Sequence, residues 1–393
     1  MSTSKIWNRE YTVLFLVNLI VSTSFYMVST ALSKHLVGLG MTVTVTGSIV
    51  GVMSFASMLT RPVSGWISDR LNQKWLLSGA LAVNFVCVLG YGAATTVAVF
   101  IFLRILHGIA FGLVTTVTMV LVSSFIPVGR MGEGMGYFGL AQTLAVAIGP
   151  SISLALYDAV GGQNMFLAAA LCVAVSFMSA QFMRYTPEKG VSRKSNAFRY
   201  RFRDLIAKES FIYAVITMAL SSVNGIENSY IALYAEQVGI RNAGWYFTVS
   251  AAALLVSRTA CSRLTDRFGF KRVLWMGLGC TAAALAVLSV ASAEWAVPVF
   301  AAGSVLKALG VGMLQPALQA ATIQSVTTDR RGAATSTFYI GTDLGQFAAP
   351  AAAGKMVDLA GYPFAFRAFI FPLIAVGIAY MVLQSIKGKI KSV

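Results

Sequence analysis

The sequence predicts an all-α integral membrane protein, with twelve transmembrane helices forming two pseudo-symmetric six-helix bundles. Three observations predict it. The chain is 57% hydrophobic and only 11% charged over 393 residues, whereas a soluble domain is about a quarter charged. So few charges cannot cover a water-facing surface, and lipid is the solvent this composition fits. Apolar stretches of about 20 residues, the length a helix needs to cross the hydrocarbon layer, recur along the chain. Finally, the chain repeats itself at an offset near 200 residues.

The apolar windows fall at 11–33, 43–68, 74–94, 97–126, 134–157, 162–183, 210–235, 243–264, 272–292, 295–325, 333–357 and 362–386. Backbone groups in lipid must bond within their own segment, so these windows predict helices. The short alternating segments of a membrane barrel are absent from the sequence. The amino terminus has no small-x-small cleavage site after a short apolar core, and reads as a retained first span.

Orientation follows from Lys and Arg. An even span count places both termini on one side. That side collects 22 of the 30 basic residues, against Lys34, Arg241, Lys355 and Arg367 on the other. It is assigned to the cytoplasm, which makes this a multi-pass protein of the cell inner (plasma) membrane. The net charge of +16 is then mostly topological. Its expected partner is anionic membrane lipid, with no nucleic acid. The basic segment 184–209 reads as a cytoplasmic linker between an N-terminal bundle, 1–183, and a C-terminal bundle, 210–393.

Cys87, Cys172, Cys261 and Cys280 stand singly within apolar stretches, without metal or redox spacing. They read as small hydrophobes, and no metal is expected. No Gly-rich loop ending in Lys-Ser or Lys-Thr occurs, which argues against ATP as the energy source. No cofactor is expected. No paired carboxylates or nucleophile constellation supports an enzyme.

The repeat is legible at two places. "RPVSGWISDRLNQK", from Arg61, and "RTACSRLTDRFGFK", from Arg258, share Arg, seven residues, Asp-Arg, three residues, Lys. A longer ungapped match pairs Arg130 with Arg330, Gly132 with Gly332, Phe138 with Phe338 and Pro150 with Pro350. It continues through Asp158 with Asp358, Gly161 with Gly361 and Phe166 with Phe366. Chance apolar similarity does not keep Gly, Pro and charged positions in step. Parallel repeats suggest a transporter.

With these residues in view, the whole chain resembles the major facilitator superfamily. The loop after span 2 is similar to that family's Gly-x-x-x-Asp-Arg-x-x-x-Lys/Arg signature, here Gly65, Asp69, Arg70 and Lys74. The second copy offers Arg258, Asp266, Arg267 and Lys271, with Ser262 in place of the Gly. The resemblance implies a gating role, with Asp69 and Asp266 latching the cytoplasmic side. Span 4 carries "RILHGIAFG", similar to the Arg-x-x-Gln-Gly-x-x-x-Gly of proton-coupled antiporters, with His107 replacing Gln. Span 5 supplies Gly136, Gly149 and Pro150 of an antiporter motif whose other glycines are Ala145, Ser153 and Leu154. That motif favours export over import. The resemblance implies alternating access, the 1–183 half rocking against 210–393.

Ionisable groups inside spans are costly and mark function. Apart from charges towards the ends of the windows, the loop-edge Arg61 and Arg258 among them, four remain: Arg104, Glu227, Lys307 and Asp343. They fall on spans 4, 7, 10 and 11, which the resemblance places around a central cavity. Arg104 keeps its proton and needs an acceptor. His107 titrates near neutral pH and is a further proton candidate. Burial favours the protonated form of a carboxyl, so Glu227 is a candidate proton carrier or cation partner. Asp343, near the middle of span 11, is the first choice for the proton site, with Lys307 as the group that neutralises it. Asn18, Tyr26, Gln142, Asn224 and Asn228 are candidates for the substrate cavity. Each equally suits a helix–helix hydrogen bond.

The expectation is thus a monomeric secondary transporter exchanging protons for a small-molecule substrate. The alternatives are a proton symporter importing a sugar, organic acid or other nutrient, and a membrane sensor or scaffold that moves nothing.

Overall fold

A computed structural model describes residues 6–68, 71–127, 130–184, 206–327 and 330–391. Among these the secondary structure is helical throughout. The helices are α1 (Arg9–Gly38), α2 (Val43–Ser68), α3 (Gln73–Tyr91), α4 (Val97–Phe125), α5 (Met131–Gln181), α6 (Phe211–Gln237), α7 (Gly244–Leu288), α8 (Ala296–Gln324), α9 (Arg331–Ala368) and α10 (Ile370–Lys391). Nine helical stretches of the described residues are long and apolar enough to cross a membrane.

Three helices are longer than any expected span. α5, α7 and α9 each contain one glycine with positive φ: Gly161 (φ 83°), Gly269 (φ 74°) and Gly361 (φ 81°). A side chain is strained in that backbone region and glycine is not. Each glycine therefore breaks the hydrogen-bond ladder within a single residue. The expected loops between windows 5 and 6, 8 and 9, and 11 and 12 shrink to these points. The charged run "RLTDRF", Arg263–Phe268, expected as part of a loop, is helical instead.

The described chain divides into two compact units: Met1–Leu39 with Val52–Arg201, and Gly40–Gly51 with Phe202–Val393. The boundary expected at 184–209 falls mostly on residues outside those described. In the first unit α1 packs on α5, and α3 on α4 and α5. In the second, α7 packs on α8 and α6 on α9.

Each unit has an aromatic centre made from the repeat. Phe100 and Phe166 are fully buried in the first unit, Phe300 and Phe366 in the second. Tyr91 and His35 contact the first pair, Tyr234 the second. The outer faces are apolar, with Trp75, Phe371 and Leu359 more than 70% exposed. Such side chains are stable against lipid tails and not against water.

Candidate functional site

The second unit buries an ion pair at the junction of α6, α7 and α8. Gly225 of α6 lies against α9, where an added Cβ would stand 3.3 Å from Gln346 Cα. Two residues further is about 200° round the helix, which turns Glu227 away from α9. Its side chain has no solvent exposure, and its Oε2 lies 2.6 Å from Lys307 Nζ of α8. Tyr246, in the first turn of α7, donates its hydroxyl to Glu227 Oε1 at 2.9 Å. Lys307 is 12% exposed, so the pair opens slightly at its cationic end. Asn224 and Asn228, one turn apart on α6, are half-buried beside this stretch.

The pair corrects an expectation. Lys307 was matched to Asp343, and the structure gives it Glu227. Helix spacing alone does not say which of two neighbouring helices a lysine on α8 will meet. Asp343 lies on α9 and is 5% exposed. It stands between Gly341 and Gly345, whose missing side chains would fall on the carbonyl oxygens of Ala214 and Met218. Two glycines one turn apart let α9 touch the α6 backbone on either side of the acid.

In the first unit, Arg104 and His107 are 2% and 1% exposed. The hydroxyl of Tyr91, on α3, is 3.0 Å from His107 Nδ1 and lies beside the Arg104 guanidinium. The two basic groups expected from span 4 thus share one tyrosine. The glycines beside them serve packing. Gly108 faces Met53 and Ala56, and Gly112 faces Ser57 and Thr60, all on α2. Gly149 lies on α1, an added Cβ standing 2.8 Å from Thr23 O and from Tyr26 Cβ. Pro150 follows it inside α5.

The remaining cavity candidates diverge. Asn18 Nδ2 reaches Phe138 O at 3.5 Å, a long bond between α1 and α5. Tyr26 is half-buried and stacks edge-on with Phe25. Gln142 is exposed.

Of the motif residues, Asp69 and Arg70 lie outside the described residues, as do the surroundings of Gly65, Gly136 and Asp266. Lys74 is visible and has a definite task. Its Nζ donates to Gln181 O at 2.8 Å and Met183 O at 2.7 Å. A cation on the unpaired carbonyls of a helix C-terminus satisfies both their lone pairs and the helix dipole. Lys271 and Arg267 of the second copy are exposed, Arg267 lying over the Phe268 ring at 5.3 Å. Arg61 and Arg258 are half-buried within α2 and α7.

Residues that sequence reasoning missed, or saw only as repeat markers, complete the picture. Asp358 accepts from Val43 N at 3.2 Å, Thr44 N at 2.8 Å and Thr44 Oγ1 at 2.6 Å. It caps the N-terminus of α2 from a distant part of the chain. Tyr230 donates to Pro350 O at 2.6 Å in the same unit. Asp158, its repeat counterpart in the first unit, pairs instead with Lys34 at 2.8 Å. Tyr246 and Tyr91 had no flag, because a tyrosine near the end of a span reads as an interfacial anchor.

A helical protein written twice over, with charged side chains sealed inside apolar helices, has the construction of a membrane transporter. The chain belongs to the Major Facilitator Superfamily, whose model matches residues 14–242 and again 212–391. It is a transporter and not an enzyme.

Similar curated proteins include an uncharacterized MFS-type transporter of Methanocaldococcus jannaschii, 24% identical over 88% of this chain and 91% of that one. The multidrug resistance protein MdtG of Proteus mirabilis is 27% identical over 72% of this chain and 71% of its own length. The staphylopine export protein of Staphylococcus aureus is 24% identical over 56% of this chain and 57% of its own length. Among solved structures, the nucleoside transporter NupG matches with a TM-score of 0.78 at 12% identity, covering 96% of this chain and 99% of that one. A POT peptide transporter matches with a TM-score of 0.79 at 13% identity, covering 96% and 95%. At such identities the structures speak for the fold alone.

Proposed function

We propose that this chain is a proton-coupled antiporter that expels a small organic solute by alternating access. It would cross the cell inner membrane twelve times, with both termini cytoplasmic, and work as a monomer. The observation that carries the reading is the set of ionisable groups buried in the second unit: Asp343 on α9 and the Glu227–Lys307 pair. Burying a charge costs several kcal/mol even after relaxation. A group that only held helices together would be replaced by an apolar side chain at no loss. A carboxyl buried among apolar helices is a candidate for reversible protonation, because burial favours its neutral form. Asp343 is assigned the exchanged proton.

The outward direction is supported by relatives named for multidrug resistance and staphylopine export. The resemblance of Gly136, Gly149 and Pro150 on α5 to the antiporter motif supports the same direction. Everted membrane vesicles carrying the protein and an imposed pH gradient provide the test. Adding the exported solute to the outside discharges the gradient if protons are exchanged for it. A solute that crosses with the gradient untouched, or that is taken up together with protons, contradicts the proposal.

A further inference from the structure

Glu227 is held from both sides, and only one of its two partners is charged. Lys307 takes Oε2, and the Tyr246 hydroxyl takes Oε1. Tyr246 is fully buried. Its ring meets Phe300 edge-on, centroids 6.1 Å apart at 75°, and Phe247 at 5.5 Å and 82°. Phe300 is packed in turn by Tyr234, whose hydroxyl is tied to Leu288 O at 2.9 Å. The hydroxyl therefore has a fixed direction. It is a donor built to face a carboxylate.

The repeat gives this arrangement a parallel. Lys307 occupies the position that His107 holds 200 residues earlier, and Phe300 that of Phe100. In the first unit, too, a buried tyrosine packs on the phenylalanine: Tyr91 stacks on Phe100 at 6.3 Å and reaches His107. The tyrosines come from different helices, α3 and α7. Both units thus set a buried tyrosine near this repeat position, Tyr91 meeting residue 107 itself and Tyr246 the acid that pairs with residue 307.

We propose that Tyr246 is a positioning residue. It holds Glu227 in the orientation that meets Lys307, and its hydroxyl sets how acidic the medium must become before the pair opens. A hydrogen bond donated to a carboxylate favours the ionised form, because the carbonyl oxygen of the protonated carboxyl is a weaker acceptor. Once Glu227 is protonated, the neutral pair becomes a single positive charge, carried by Lys307 at the partly exposed end. Tyr246 thus governs the switch without itself touching solute or solvent.

Several other titratable groups among the described residues of the helices around α6 have neighbours or partners of their own. Asp343 on α9 lies along the stretch that passes Ala214 to Ser222. Asp358 is engaged by Val43 and Thr44. Tyr380 of α10 packs beside Tyr213, and Glu209, before α6, pairs with Arg330. Tyr230 on α6 itself is bonded to Pro350 O.

This inference takes its purpose from the exchange reading, but its test needs no transport. The infrared carbonyl band of protonated Glu227, identified by its loss in Glu227→Gln, is titrated in the purified full-length protein. In Tyr246→Phe the midpoint moves to higher pH by about one to two units, the worth of one hydrogen bond to a charged group. A difluorotyrosine at position 246 keeps the shape and makes the hydroxyl a stronger donor, so it moves the midpoint the other way. This second variant remains informative if the phenylalanine variant misfolds. A midpoint that does not move in either variant, or moves oppositely, overturns the proposal, as does a Glu227 band that never appears in the accessible pH range. A tyrosine that only filled space would change thermal stability and leave the midpoint alone. Absence of transport in vesicles, with the midpoint shifts intact, would fail the antiport reading and leave this one standing.

Discussion

Lys307 illustrates what one side chain does here. Its ammonium lies 2.6 Å from a carboxylate with no solvent exposure. Lys307→Ala leaves that carboxylate without its cation, and removing one partner of a buried pair costs about 3–5 kcal/mol. The expected outcome is a clear fall in the thermal unfolding temperature of the purified protein. The double variant Glu227→Gln with Lys307→Gln recovers most of the loss, because two amides can bond each other. Asp343→Asn belongs to the same scale. It is expected to insert normally and to abolish discharge of the pH gradient in everted vesicles, and full exchange by that variant would remove Asp343 from the proton path. Both acids stood out in the sequence because charge inside an apolar window is rare. Which of the buried charges meet did not. Glu227 and Lys307 are 80 residues apart, and no local rule joins them. Tyr246 was hidden because a hydroxyl on an aromatic ring is common near membrane surfaces.

Glycines bring several helices of this protein into backbone contact. Gly345 of α9 lies against Met218 O and Ser222 N of α6, whereas Gly279 of α7 has open space where a side chain would go. Gly345→Leu must push two helix backbones apart. Overpacking of this kind costs about 1–3 kcal/mol, read as a lower unfolding temperature and lower folded yield, while Gly279→Leu is expected to be neutral. Asp358 is the other inter-element device. Asp358→Ala removes the cap on Val43 and Thr44 and is expected to cost about 0.5–2 kcal/mol. Faster hydrogen exchange at the first amides of α2 would report it, and unchanged protection there would show that the cap does not hold the helix. Helix positions were legible from hydropathy, and α2 begins at its expected residue, Val43. The breaks were less so. A loop of several residues and a single glycine with positive φ leave similar gaps in an apolar pattern, and only backbone geometry separates them.

At the scale of the whole molecule, the duplication survives as geometry while its interactions have diverged. Gly161 and Gly361 have nearly the same backbone angles, φ 83° with ψ 167° and φ 81° with ψ 171°. Yet Arg130 pairs with Glu133 on its own helix, and Arg330 with Glu209 before α6. Asp158 meets a lysine, and Asp358 a helix end. The topology proposed from the basic residues is testable at this scale. In a background without the native cysteines, Arg130→Cys is expected to resist a membrane-impermeant maleimide in intact cells and to react in everted vesicles. Glu294→Cys is expected to behave in the opposite way. Labelling of both from one side would end the twelve-span arrangement.

The amino-acid sequence by itself determined that this is a helical membrane protein, that it is written twice, and which few charges lie at depth. These are properties of composition and spacing, and the lipid environment enforces them on any fold. Tertiary structure alone decided which charges meet. A buried ion takes its partner from whichever helix packs against it, and that packing is set by contacts between residues far apart in the chain.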